Sequence, residues 1–174
     1  LVQSGMCLAT FAGTAFLTLF GKRKTAGLYI HIPFCRQKCN YCDFYSITNL
    51  AVRQDFLDAL KTEILLVSSN PPFRGFSFST IYFGGGTPSL LTPLQISEIL
   101  EWLKNAFSIV PNAEISMEVN PGTTAIENLE KYYKAGINRL TIGVQSFNNG
   151  ELSTLTRIHD AEQAEKTILS AQQA

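Results

Sequence analysis

The feature that most constrains this chain is an alternation. From residue 27 onward, short β-type runs and helix-period segments follow one another four times, with no hairpin signal between them. GLYIHI (27–32) alternates and is rich in β-formers; residues 51–68 then carry Phe56, Leu57, Leu60, Ile64 and Val67 at helical spacing. After PPFRGFS, read as a loop, TIYF (80–83) predicts a second strand that ends in GGGTP. In LTPLQISEILEWLKNAF, Thr92 is a good N-cap, Pro93 sits at the first helical position and Gln95 completes a capping-box pattern. EISMEV (114–119) is the third strand, and TAIENLEKYYKAG the helix after it, with Gly136 as its C-cap. NRLTIGV (138–144) is the fourth strand. Asn148–Glu151 reads as loop, and residues 160–173 predict a further helix.

Strand–helix alternation of this kind implies parallel strands joined by right-handed helical crossovers. The strands are short and apolar, as expected when both faces are covered. Two α/β architectures satisfy this pattern: a doubly wound sheet, or a (βα) barrel, whole or partial. In both, function gathers at the C-terminal ends of the strands. The chemically useful residues fall there. Cys35, Cys39 and Cys42 follow strand one, Gly84–Gly85–Gly86–Thr87–Pro88 follow strand two, Glu118 ends strand three, and Gln145 and then Arg157 follow strand four. Convergence of four strand ends on one rim weighs more than any single motif.

Composition narrows the function classes. A hydrophobic content of 45% with 16% charged residues is globular. The 14 basic and 14 acidic residues balance, which removes any bulk electrostatic case for nucleic acid or an anionic membrane. Three cysteines clustered within a few residues are not a secreted disulfide framework; they read as metal or redox chemistry in a reducing, cytoplasmic compartment. Residues 1–25 are expected to form an apolar tail outside the folded domain, and residues 26–174 the domain itself. The run from Met6 to Phe20 is short against the ~20 apolar residues of a spanning helix, so membrane association is not expected. Cys7, within that run, reads as an inert buried thiol. The helical pattern continues to Ala174, and the chain is expected to be part of a longer protein.

The stretch CRQKCNYCDFYS carries the sharpest question. A structural zinc site needs four ligands in recognisable pairs, and only three are obvious here, with His31 and Asp43 nearby. Cys39-x-x-Cys42 fits a dithiol redox motif, but that motif has no use for Cys35. An iron–sulfur cluster fits better, because thiolates select for it. Three cysteines hold three irons of a cubane, and the fourth iron is left for an exogenous amine and carboxylate. The glycine loop one strand away could hold the same amino acid moiety through exposed backbone. His31 reads as a satisfied core residue, and Phe34, Tyr41 and Phe44 as shields of the cluster.

C-x3-C-x2-C after the first strand and a glycine motif after the second resemble the radical S-adenosylmethionine superfamily. YIHIPFC, GGGTPS, EVNP and GVQSF narrow the resemblance to the branch of oxygen-independent coproporphyrinogen III oxidases and HemW-like heme chaperones, over about residues 27–174. It implies a partial (βα) barrel of radical SAM type, of which about four βα units are present here. It also implies that Cys35, Cys39 and Cys42 hold a [4Fe-4S] cluster whose open iron binds S-adenosylmethionine. Tyr29 then matches a position near the sulfonium, Gly85, Gly86 and Thr87 the loop on the methionine portion, and Glu118, Gln145 and Arg157 polar positions on the cofactor. One-electron transfer to the sulfonium would give methionine and a 5′-deoxyadenosyl radical.

Within the branch two functions compete. One is an oxidase that decarboxylates propionate side chains of a porphyrinogen. The other is a chaperone that carries heme as cargo to heme-accepting proteins. Whether the protein is an enzyme is therefore left open by the resemblance. The oxidase pattern adds a cysteine two residues after the third; Phe44 stands in that place, and together with Arg157-Ile158-His159 it leans toward the chaperone.

Overall fold

The structure is a computed structural model that describes residues 24–70 and 75–174. The expectations for the apolar tail and Cys7 fall on residues 1–23, outside the described residues, except that the first strand already includes Lys24 and Thr25. Part of PPFRGFS likewise lies outside them.

The element order is β1 (Lys24–Ile32), α1 (Arg53–Ser68), β2 (Phe76–Gly85), α2 (Pro93–Ala106), β3 (Ile109–Val119), α3 (Ile126–Ala135), β4 (Arg139–Ile142), α4 (Asn149–Thr154) and α5 (Ala161–Gln173). The strands form a 4-stranded parallel sheet in the order β1-β2-β3-β4. Each strand pairs with the next in sequence and the order never reverses. The sheet therefore has no switch point of the doubly wound kind, and its winding is that of an open (βα) barrel. Neighbouring helices pack in the same sequence, α1 on α2, α2 on α3 and α3 on α5.

Local chemistry sets the helix ends. Thr92 accepts from the Gln95 backbone N–H and Gln95 reaches back to the Thr92 N–H, a complete capping box at α2 with Pro93 behind it. At the other end of α3, Gly136 takes φ +119°, where a Cβ would be penalised. Asp160 and Gln163 form a second capping box at α5.

The strands alternate, and the two faces differ. Leu28, Ile30 and Ile32 of β1, Ile81 and Phe83 of β2, and Ile115, Met117 and Val119 of β3 are buried in one core with Phe56, Leu60, Ile64, Ile96, Ile99, Leu100 and Leu129 from the helices. Each such side chain contributes roughly 1.5–3 kcal/mol by leaving water. The intervening residues point the other way. They are Tyr29, His31, Tyr82, Ser116, Glu118 and Thr141, mostly half-buried and almost all polar. The expectation that both faces are covered is thus corrected: helices cover one face, and the other is a polar, mostly half-buried surface.

Three boundaries also differ from the sequence reading. β2 begins at Phe76, inside the expected loop, because Phe78 is buried and pairs with Ile109. β4 ends at Ile142: the Gly143 N–H makes the last ladder bond to the Val119 carbonyl (2.9 Å), and the Val144 N–H then turns back to the Ile142 carbonyl (2.9 Å). The expected loop at Asn148–Glu151 is instead the start of α4, with the Asn148 side chain as its N-cap acceptor for Gly150 and Glu151.

Candidate cofactor site at the rim of the sheet

At the C-terminal ends of the strands lies a cleft of ≈ 230 Å³. Cys35, Cys39, Cys42, Gly85, Gly86, Thr87, Glu118, Gln145 and Arg157 all line it, together with Tyr41, Phe44, Asn120, Thr141 and Gly143. Tyr29 does not. Its hydroxyl bonds His31 Nδ1 at 3.1 Å, and its ring stacks on Tyr82 with centroids 6.0 Å apart.

The cysteine loop is closed at its base by backbone. Phe34 bridges Ile47, the Cys35 N–H donates to the Ile47 carbonyl (3.0 Å), and the Ile47 N–H to that of Pro33 (2.7 Å). His31 Nε2–H donates to the Tyr45 carbonyl at 2.9 Å, a tautomer that leaves Nδ1 to accept from Tyr29. His31 is thus a hydrogen-bonded member of the polar face. Phe34 is fully buried and meets Phe56 edge-on at 5.3 Å. It belongs to the core and does not shield the cleft, in contrast to the sequence expectation, because the strand alternation carries it to the helix side. Tyr41 and Phe44 do line the cleft.

The glycines are dictated by proximity. The Gly86 N–H donates to the Ile32 carbonyl (2.8 Å) and the Thr87 N–H to that of Phe34 (2.7 Å), stitching the end of β2 to the start of the cysteine loop. A Cβ on Gly86 would stand 2.7 Å from the Phe34 carbonyl oxygen and 2.9 Å from that of Ile32. Gly85 has φ +109°, a conformation that disfavours any side chain. Thr87, almost fully buried, points its hydroxyl at Cys35 Sγ (3.6 Å).

Glu118 is held through both oxygens: Tyr82 O–H donates to Oε1 (2.7 Å) and the Gly85 N–H to Oε2 (3.2 Å). Burial, and then the neighbouring Glu118 carboxylate, raise the Tyr82 phenol above its ordinary value. Arg157 links the cysteine loop to the segments that follow β3 and β4. Nη1 donates to Cys39 Sγ (3.5 Å) and to the Tyr41 hydroxyl (3.2 Å), Nη2 to the Gly143 carbonyl (2.6 Å) and to Asn120 Oδ1. These partners are neutral oxygens and a sulfur, and Nε is buried with no partner. A half-buried cation so placed favours an anionic guest. Burial raises the Tyr41 phenol, with the Arg157 cation opposing. Gln145 takes φ +70°, an uncommon conformation for a residue with a side chain and one that concentrates at functional sites.

His159 does not face the cleft. It is buried, with Nε2–H on the Val144 carbonyl (3.1 Å) and Nδ1 unpartnered. Burial lowers its pKa, since a proton on Nδ1 would find no acceptor. Asn120 and Tyr82 were not singled out from sequence. The strand alternation that selects Tyr29 could have found Tyr82, its register partner, and Asn120 directly follows β3.

The donor set discriminates among metal guests. Cys35, Cys39 and Cys42 are free, half-buried thiols on one wall of the cleft. Among the described residues, no group of three His, Cys, Asp or Glu side chains is placed to hold a single ion. A structural zinc site takes four ligands, and the cleft presents three thiols. A cubane cluster, which takes one thiolate per iron, fits the donor chemistry.

A family model described as Radical SAM superfamily matches residues 29–174. The chain belongs to the radical SAM superfamily. It is 39% identical over 141 residues to the heme chaperone HemW of Escherichia coli (strain K12), covering 80% of this chain and 37% of that protein. It is 35% identical over 148 residues to the oxygen-independent coproporphyrinogen III oxidase of Bradyrhizobium diazoefficiens, covering 83% of this chain and 32% of that protein. The solved structure of coproporphyrinogen III oxidase (HemN) from Escherichia coli, described as a radical SAM enzyme, superposes with a TM-score of 0.78 at 35% identity, over 87% of this chain and 35% of that one. The parallel sheet and its helices are thus a radical SAM fold. The chain spans a little over one third of the HemW relative it matches. No helix among the described residues is long and apolar enough to cross a membrane.

Proposed function

We propose that this chain is the cluster- and S-adenosylmethionine-binding part of a HemW-type heme chaperone that works in the cytoplasm. Cys35, Cys39 and Cys42 hold a [4Fe-4S] cluster. Such a cluster, with S-adenosylmethionine on its fourth iron, supplies one-electron chemistry at the sulfonium. Gly85, Gly86 and Thr87 bring backbone close to the methionine portion, where side chains would exclude it. Glu118 accepts from the cofactor's amine or ribose, and its two existing donors hold it in place. Gln145 and Arg157 complete the polar wall, with Arg157 opposite the anionic groups. Tyr29 acts from behind, through its stacking on Tyr82 and its bond to His31. In the whole protein heme is the cargo, and heme-accepting proteins are the partners.

The observation that carries the chaperone over the oxidase is Phe44. It lines the cleft and is 63% exposed, at the position where the oxidase pattern has a further cysteine. An apolar ring there offers no thiol and instead presents a face that suits a flat apolar macrocycle. The oxidase reading is favoured by the 35% identity to the Bradyrhizobium diazoefficiens protein and by the likeness to the coproporphyrinogen III oxidase structure from Escherichia coli. The deciding experiment uses the intact protein with its cluster reconstituted. Heme titration followed by visible absorption should show stoichiometric binding, and incubation with coproporphyrinogen III should yield no decarboxylated product. Formation of tripropionate or divinyl product would defeat the proposal.

A further inference from the structure

Two residues after α4 ends, the chain does something unusual. The Arg157 N–H donates to the Leu152 carbonyl (2.9 Å) and the Thr156 N–H to the Ser153 carbonyl (3.0 Å). That paired pattern is a Schellman C-cap, and its left-handed residue is ordinarily glycine. Here it is Thr156, at φ +53°. A β-branched residue is among the least suited to that conformation.

The hydroxyl and carbonyl of that residue both face the cysteine loop. The Asn40 N–H donates to Thr156 Oγ1 (3.0 Å), and Gln37 Nε2 donates to the Thr156 carbonyl (3.2 Å). Next to it, Asn40 Nδ2 donates to the Thr154 carbonyl (2.9 Å). Thr156 also places Arg157, whose Nη1 reaches Cys39 Sγ and the Tyr41 hydroxyl. A further contact from the Cys39 thiol to the Thr156 carbonyl, at 3.9 Å, needs the S–H and disappears when the sulfur is a thiolate ligand. The bonds from Gln37 and Asn40 do not depend on that proton. These contacts join the loop after the first strand to the segment after the fourth, across sequence separations of 114 to 119 residues. Within the loop tip itself the backbone has only the Cys42 N–H to Cys39 carbonyl turn (3.1 Å) to hold it.

We propose that Thr156 is a positioning residue for the cysteine loop: a threonine placed at a glycine position because its hydroxyl fixes the Asn40 backbone between Cys39 and Cys42. A residue chosen only to end α4 would be glycine. Thr156 carries an unfavourable backbone conformation and gains an acceptor aimed at an otherwise unpaired loop amide. The loop's purpose rests on the cluster reading above, but the clasp itself exists without metal.

The test is native-state hydrogen exchange on the metal-free, full-length protein, comparing wild type with Thr156→Gly and Thr156→Ser. Glycine suits the cap and deletes the hydroxyl. It should leave the thermal midpoint unchanged or raised while the Asn40 amide exchanges roughly three to ten times faster, the loss of one hydrogen bond. Serine keeps the hydroxyl and should retain wild-type exchange at Asn40. A role confined to capping would move the midpoint without touching Asn40. Unchanged Asn40 exchange in Thr156→Gly overturns the proposal, as does serine exchanging as fast as glycine. General loss of protection, including at Ile81 in the core, overturns it too, since the loop would not be the unit that Thr156 holds. Iron binding by the wild type is a separate measurement; its failure would sink the cluster reading and leave the clasp standing.

Discussion

Gly86→Ala is the perturbation whose consequence the structure fixes most tightly. The added methyl would stand 2.7 Å from the Phe34 carbonyl oxygen, 2.9 Å from the Ile32 carbonyl oxygen and 3.0 Å from the Phe34 carbonyl carbon. All three are backbone atoms of β1 and the loop base, so no rotamer change relieves the contact. Relief requires the glycine turn to move away from β1, which breaks the bonds from Gly86 N–H to Ile32 and from Thr87 N–H to Phe34. Two hydrogen bonds at ~1 kcal/mol each, with an overpacking cost of ~1–3 kcal/mol, give a loss of about 3–5 kcal/mol. The same movement withdraws Thr87 from Cys35. Urea unfolding of the intact protein reads the stability term, and iron content after anaerobic reconstitution reads the site. Gly84→Ala is the control, because its Cβ would meet ring atoms of Tyr82 (2.6 Å) and Tyr29 (3.0 Å), which are side chains. Gly86→Ala should therefore cost more than Gly84→Ala. A loss below ~1 kcal/mol with full iron loading would refute the reasoning that backbone proximity dictates this glycine.

Cys42→Ala should abolish cluster assembly, measured as iron and labile sulfide per chain after reconstitution; retention of wild-type iron would remove Cys42 from the ligand set. Glu118→Ala should weaken S-adenosylmethionine binding by roughly tenfold or more, the loss of a charge-assisted hydrogen bond, as read by calorimetry on the loaded protein. His159 has a pKa held below its ordinary 6.5 by burial. As pH falls through that value the unfolded chain takes up a proton that the folded one refuses, so stability declines and levels off below the folded pKa. Urea midpoints measured from pH 7.5 to 5 should show this decline in the wild type and less of it in His159→Gln. Arg139→Ala should leave the urea midpoint essentially unchanged, because the Arg139–Glu114 pair is solvent-exposed on both sides.

Much of the molecule was legible in one dimension. The α/β class followed from the alternation of periods two and 3.6, a local property of the chain. The capping box at Thr92, the C-cap at Gly136 and the cysteine spacing are likewise written within a few residues of one another. So was the rim, because side chains that follow parallel strands must gather at one end of the sheet. The sequence reading erred where burial depends on what lies across the sheet. Short apolar strands were read as doubly covered, yet Tyr29, His31, Tyr82 and Glu118 form a polar face, which the period-two alternation of β1 signalled only at Tyr29 and His31. Phe34 was grouped with the cleft aromatics, and the strand direction sends it into the core. α4 was read as loop, since its C-cap carries Thr156 in place of the glycine that would have signalled it.

By itself, then, the order of residues determined which elements form, in what succession, and which thiols stand together. Tertiary structure alone decided how that cysteine loop is held. Its tip has almost no bonds of its own, and its partners at Thr154, Thr156 and Arg157 lie more than a hundred residues away. Contacts of that separation exist only once the successive strands have brought the two loops to the same rim. Periodicity acts over neighbours and cannot encode which distant hydroxyl will meet the Asn40 amide.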